Sequence, residues 1–218
     1  MDTAPAETQA IAIFGGSGAT GQALIRHALC RGIKVCALVR NANSMAIKSG
    51  LLEVIEGPLS SADHVELCLK DCGAAICVFG HRPPYADIFC EAATTTIVRA
   101  MQKLMIKRLV CQTGGMIGDY PANRTLPFRL MVAAFNRRLP LVASDRTGQE
   151  NAVKQSELDW TIVKPSRLTN GKAHGKWFAG TDVRVGLLSS IARDDLAEFL
   201  LQEILNPQFT RQAVFIHN

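Results

Sequence analysis

Seven residues near the N-terminus, Gly15-Gly16-Ser17-Gly18-Ala19-Thr20-Gly21, carry the clearest chemical signal of the 218-residue chain. Gly15, Gly18 and Gly21 stand at G-x-x-G-x-x-G spacing. The first permits a tight turn, the second lets backbone approach a pyrophosphate, and the third lets a helix pack closely on the preceding strand. The N–H groups at the start of that helix then face the anion. A second cluster follows, where Val39-Arg40-Asn41 ends an apolar run and Asn43 and Ser44 come next. A site for NAD places Asp or Glu at this point to accept from the ribose hydroxyls. No acidic residue occurs between Gln22 and Leu52. A guanidinium and small polar groups suit a 2′-phosphate instead, so NADP is the expected cofactor.

These clusters do chemistry only if strands and helices hold them in place. Strand-sized apolar runs occur at 10–14 (AIAIF), 33–39, 52–55, 74–79, 107–112 and 159–163. Helical periodicity marks 21–31, 60–70, 86–105, 145–156 and 193–205. Regular alternation of the two implies right-handed crossovers and a doubly wound parallel α/β sheet, a Rossmann fold in a single domain spanning 10–218. AVFIH at 213–217 is expected as a last edge strand, and residues 1–9 as a disordered N-terminal extension. Two stretches break the alternation, at 113–144 and 165–192. Both leave the carboxyl ends of strands, where open α/β sheets bind ligands, and are read as substrate-side loops. The apolar, Arg-flanked segment Leu126 to Leu139 is read as a lid or subunit contact, since a membrane-surface helix would carry more basic charge.

Composition narrows the classes of partner. The chain is 48% hydrophobic and 20% charged, which excludes intrinsic disorder. Its net charge of +5 equals the surplus in residues 101–150, with eight basic and three acidic side chains. With only 6% aromatic residues, this surplus suits an acidic or phosphate-bearing small molecule better than nucleic acid. No apolar run reaches the ~18 residues that span a bilayer, so no stable membrane insertion is expected. Seven cysteines without C-x-x-C spacing read as small apolar residues in a reducing, cytoplasmic setting. No histidine has metal-ligand spacing, although His81 sits at a strand's carboxyl end. A monomer or homodimer is expected.

The segments IFGGSGATGQALI, LVRN, LDWTIVKPSRLTNG and SIARDDLAEFL resemble the atypical short-chain dehydrogenases/reductases of the NAD(P)-binding, NmrA-like type. In size and layout the chain is most similar to their flavin reductase/biliverdin-IXβ reductase group. The resemblance runs from about residue 10 to 217. It implies that Gly15, Ser17, Gly18, Ala19 and Thr20 hold the pyrophosphate and that Arg40, Asn43 and Ser44 hold the 2′-phosphate. Phe79, Gly80 and Arg82 would line the cofactor, with Thr113, Ser166 and Arg167 beside the nicotinamide. The chain also departs from the pattern. Gly57-Pro58 replaces Gly-Asp, leaving backbone and Leu59 for the adenine, Gly114 replaces a serine, and Arg167 stands where the closest group has histidine.

Typical short-chain dehydrogenases protonate the developing alkoxide with Tyr-x-x-x-Lys. Here neither Tyr85 nor Tyr120 has Lys four residues on. Glu150 and Lys154, at i, i+4, read as a helix-surface salt bridge. An electron-poor conjugated acceptor, such as a flavin, quinone or linear tetrapyrrole, needs no protein acid, since solvent can protonate it. Thr113 as hydrogen-bond donor and Arg167 as counter-charge are the candidate catalytic residues. The expectation is an NADPH-dependent oxidoreductase of a small conjugated or carbonyl substrate. The alternatives are a non-redox isomerase, epimerase or cyclase that retains NADP, and an NADP-sensing regulator.

Overall fold

A computed structural model describes residues 10–85 and 87–218. The expectation for residues 1–9 falls outside the described residues. The chain opens with β1 (Ala10–Phe14), α1 (Ala19–Cys30), β2 (Val35–Val39), β3 (Leu52–Glu56), α2 (Ala62–Leu69) and β4 (Cys72–Cys77). Next come α3 (Cys90–Lys103), β5 (Arg108–Gln112), α4 (Leu126–Arg138), α5 (Pro140–Lys154) and β6 (Asp159–Pro165). The last part holds β7 (Arg167–Thr169), β8 (Phe178–Gly180), β9 (Ser190–Ala192), α6 (Arg193–Leu205) and β10 (Gln212–His217).

Eight strands form one sheet in the order β3-β2-β1-β4-β5-β6-β10-β8, parallel throughout except for the β10–β8 pair. The doubly wound fold is therefore as expected. Because strand side chains alternate, Ile11 and Ile13 face one layer while Ala12 and Phe14 face the other. The first layer is covered by α1 and α6 through Leu24, Ile25, Leu196 and Leu200. The second is covered by α2, α3 and α5 through Val65, Ile97 and Val153. Burial on both faces explains why the central strands read as continuous apolar runs.

Four features differ from the periodicity. β10 is not an edge strand: it lies between β6 and β8, and β8 takes the edge in antiparallel pairing. Three-residue β8 has too little alternation to register as a strand. The 165–192 stretch likewise contains β7 and β9, which pair as a separate parallel ribbon. Helix α3 begins at Cys90 rather than near 86, after a loop that contains Pro83 and Pro84. Helix α5 starts earlier than its periodicity, with Pro140 in its first turn, where a missing N–H costs nothing.

In the sheet order, the chain reverses direction between β1 and β4. The crevice outside the carboxyl ends of these two strands is where such sheets bind ligands. The glycine loop leaves β1 there, and Phe79 to Arg82 follow β4.

Candidate functional site

At the phosphate end, the glycines divide into two kinds. Gly15 has φ +97°, and a Cβ there would come 2.8 Å from Phe79 N, so the turn and the tip of β4 are in backbone contact. A Cβ on Gly21 would collide with Gly15 O and meet Gly16 Cα at 2.7 Å. These two glycines are needed for packing alone. Gly18, the N-cap of α1, is looser: a Cβ there would lie 3.3 Å from Gly15 O and 3.3 Å from Arg82 Nη2. No side chain caps α1. The helix N-terminus therefore presents uncapped N–H groups with one exposed guanidinium, Arg82, reaching over them. Ser17 also fixes the loop, its carbonyl accepting from Gln22 Nε2 at 3.2 Å.

The turn expected to meet the adenosine follows β2. Arg40 is exposed, and Ala42–Ser44 form a 3₁₀ turn. Asn41 Oδ1 accepts from Asn43 N at 2.8 Å, and Ser44 Oγ donates to Asn41 O at 2.5 Å. Parallel pairing sets Val39 opposite Glu56, and the Glu56 carboxylate accepts from Ala42 N at 2.8 Å. Leu59 is half-buried against the α2-side core.

The third part of the crevice gathers residues that lie far apart in sequence. Thr113, just past β5, donates from Oγ1 to Glu150 Oε1 at 2.7 Å. Tyr120 donates to Glu150 Oε2 at 3.2 Å. Lys164 on β6, fully buried, pairs with Glu150 Oε1 and lies 4.4 Å from the Tyr120 ring centroid. Lys154 reaches Glu150 Oε2 at 3.6 Å from a side chain that is 37% exposed. Reading Glu150 and Lys154 as a surface pair is therefore corrected. Glu150 is 1% exposed and its principal partner is Lys164, because α5 turns this face onto β6.

Charge states follow from that burial. Burial alone would raise the Glu150 carboxyl, but Lys164, Thr113 and Lys154 outweigh it and hold the group below its ordinary value. Burial lowers Lys164 to about 8, against the pull of Glu150. Burial and the neighbouring Glu150 both push the Tyr120 phenol up. Tyr120 is thus a poorer acid than a free phenol, and the hydrogen of the Thr113 hydroxyl is directed at Glu150 rather than into the crevice.

Arg146, one turn before Glu150, is a residue that sequence reasoning missed. Its guanidinium donates to Phe79 O at 3.0 Å and Thr113 O at 2.7 Å, tying the tips of β4 and β5 together. Gly80 leaves it room, since a Cβ there would lie 3.2 Å from Arg146 Nη1. The available signal was the i, i+4 spacing of Arg146 and Glu150 on the face that buries both. Ser166, whose N–H donates to Ile216 O, has a buried hydroxyl with no partner among the described residues. Arg167, by contrast, is exposed at the start of β7, and no hydrogen bond or ion pair engages its side chain among the described residues.

His81, Cys90 and Asp145 also meet, with ligand-type atoms within 4.8 Å of one another. His81 directs Nε2 at Asp145 (2.8 Å, off line for a hydrogen bond) and Nδ1 at Cys90 Sγ (3.7 Å), so the carboxylate and the thiol lie off different ring nitrogens. Asp145 already accepts from the N–H groups of Phe89, Cys90 and Glu91 at the start of α3. Arg146 presses on Cys90 Sγ at 3.8 Å. This is a helix cap with a packed imidazole, and a cation would meet a guanidinium there.

A groove of about 740 Å³ runs between α4 and α5, lined among others by Ile117, Arg129, Asn136, Ser144 and Asn151. Neither the glycine loop nor Thr113 or Ser166 lines it, so it lies apart from the crevice. Helix α4 buries only Phe128 and Val132 and exposes Leu126, Leu130 and Met131.

Comparison with known proteins bears on this site. Residues 15–207 match the NAD(P)H-binding family. An uncharacterized chloroplastic protein of Arabidopsis thaliana is 27% identical over 96% of this chain and 77% of its own. Among solved structures, ChuY of Escherichia coli O157:H7, described as an anaerobilin reductase, superposes with TM-score 0.78 at 21% identity, covering 95% of this chain and 96% of its own. A wide-type short-chain dehydrogenase/reductase of Veillonella parvula in complex with NADP superposes with TM-score 0.79 at 15% identity, covering 96% and 94%. The expected kinship with NAD(P)-binding proteins is thereby borne out by the family match, and these solved structures share the fold.

Proposed function

The chain belongs to the NAD(P)H-binding family, and from that premise we propose an NADPH-dependent reductase of a small conjugated or carbonyl acceptor such as a flavin, quinone, linear tetrapyrrole or ketone. One observation carries the reading: the uncapped start of α1 faces a space at Gly18 that a single Cβ would begin to fill, under the Arg82 guanidinium. Backbone N–H groups, a helix dipole and a cation at one point suit a pyrophosphate. Arg40 supplies charge and Asn43 an amide for a 2′-phosphate, with Ser44, whose hydroxyl hydrogen is held by Asn41 O, beside them, which favours NADP over NAD.

The chemistry that a bound nicotinamide supplies is hydride transfer. This chain's residues contribute geometry. Arg146 fixes the tips of β4 and β5, so Phe79, Gly80 and Thr113 hold a constant wall. Ser166 offers a buried hydroxyl with unused capacity, and Thr113 offers lone pairs because its hydrogen is committed to Glu150. Arg167 is free to meet an acidic acceptor or the charge that develops on it. Since the Tyr120 phenol is tied to a carboxylate and weakened as an acid, protonation from solvent is the consistent route, and it suits an acceptor that delocalises charge. The loops at 113–144 and 165–192 would form the acceptor's side of the crevice. Seven unpaired cysteines support a reducing compartment such as the cytoplasm. No described helix is long and apolar enough to cross a membrane.

The test is loss of reduced-nicotinamide absorbance on adding the chain to NADPH with a panel of flavins, quinones and linear tetrapyrroles. Turnover of any of them supports the reading. Tight NADPH binding with no turnover across the panel would replace it with the non-redox or sensing alternative.

A further inference from the structure

The β2–β3 side of the crevice contains a group that works against the charge expected there. Arg40 follows β2 and suits a phosphorylated ribose, yet β3, one strand over, brings Glu56 to the same turn. Glu56 Oε2 accepts from Ala42 N at 2.8 Å. The other backbone N–H groups of the turn are also taken: Asn43 N by Asn41 Oδ1, Ser44 N by Asn41 O and Met45 N by Ala42 O. An incoming anion therefore finds no free backbone donor from Ala42 to Met45, and it meets a carboxylate held at the start of that turn.

We infer that Glu56 is a specificity residue for the dinucleotide's adenosine ribose, opposing the 2′-phosphate that Arg40 attracts and so keeping the site open to the unphosphorylated cofactor. The inference rests on the proposed cofactor reading. Linear order hides this residue, because fourteen positions separate Ala42 from Glu56 and only the parallel β2–β3 register joins them. A carboxylate at this turn has two effects. It repels a dianionic phosphate, and it can accept from a ribose 2′-hydroxyl in the way the acid at a second-strand end does for NAD. Arg40 with Glu56 thus makes a balanced pair in place of a one-sided phosphate clamp, and NADH and NADPH differ less in affinity here than Arg40 alone would dictate.

Calorimetric dissociation constants for NADPH and NADH test this with the intact chain and its Glu56→Gln variant. Glutamine keeps a carbonyl for Ala42 N–H, so the turn stays capped while the charge is removed. The variant should bind NADPH about three- to tenfold more tightly, the size expected for one screened neighbouring charge. NADH should weaken or stay within about twofold, in keeping with loss of at most one exposed hydrogen bond. The gain for NADPH should shrink at high salt. Equal changes for the two nucleotides, or none, would overturn the role of Glu56 while leaving the cofactor reading intact. A wild-type chain that binds neither nucleotide would overturn both.

Discussion

At the phosphate end of the crevice, the proposed contacts come from backbone and exposed side chains within residues 15–44, joined only by Arg82 and Glu56. At the end proposed for the nicotinamide, buried charged and hydroxyl groups converge from the tip of β5, α5 and β6: Thr113, Arg146, Glu150 and Lys164. The first end is assembled locally and left open to solvent, so changes there should alter binding and spare the fold. The second is a closed electrostatic unit within the core, so changes there should alter the fold before they alter chemistry. Binding and stability are therefore expected to separate along the crevice.

The strongest attempt to break that contrast is Lys164→Met. It strands the Glu150 carboxylate, 1% exposed, without its principal counter-charge, and should cost ~3–5 kcal/mol of unfolding free energy by denaturant titration. A loss under ~1 kcal/mol would mean the pair is not a structural unit. Next is Gly18→Val. It should abolish detectable NADPH binding by calorimetry while the melting temperature falls far less than for a change at Gly21, because the added side chain meets only Gly15 O and Arg82 Nη2, each at 3.3 Å, and otherwise enters the ligand's space. Gly21→Val should instead unfold the loop, since its Cβ would strike Gly15 O. Arg40→Ala should remove ~1.5–3 kcal/mol of NADPH binding, the range for hydrogen bonds to charged groups, with little effect on NADH.

Smaller effects sharpen the contrast within the buried end. Tyr120→Phe should lower kcat less than about tenfold, below the ~10²-fold expected of a positioned general acid. Thr113→Val should cost more, because it removes a group beside the Arg146-clamped wall. A thousandfold loss from Tyr120→Phe with Thr113→Val neutral would reassign the chemistry to the phenol. The smallest change is expected from Lys154→Ala. Its side chain is 37% exposed, and solvent screening should keep the cost under ~1 kcal/mol in the same denaturant assay.

The same contrast decides what could be read from sequence. The glycine loop was legible because strand, loop and helix are contiguous and each glycine answers a local requirement. The doubly wound parallel fold was legible because apolar runs alternate with helical period. Glu150 was misread because an i, i+4 partner is visible along the chain, whereas Lys164 lies fourteen residues away on another element. Arg146 and Glu56 escaped for a related reason, since their partners are backbone atoms of the loops and turn that follow neighbouring strands, and backbone atoms leave no trace in residue types. The β8 edge was hidden by its three-residue length.

The position of β10 has a consequence for how the chain is made. It fills the interior slot between β6 and β8, yet it is synthesised after both. Until it emerges, β6 ends the growing sheet with an unpaired parallel edge, and β8 has no strand to join. At ribosomal rates, the ~50 residues that separate β6 from the end of β10 take about 2–10 seconds to add. During that interval a bare apolar edge is open to pairing with other nascent chains. Conditions that slow elongation over residues 166–217 should therefore lower soluble yield more than equal slowing over residues 15–60.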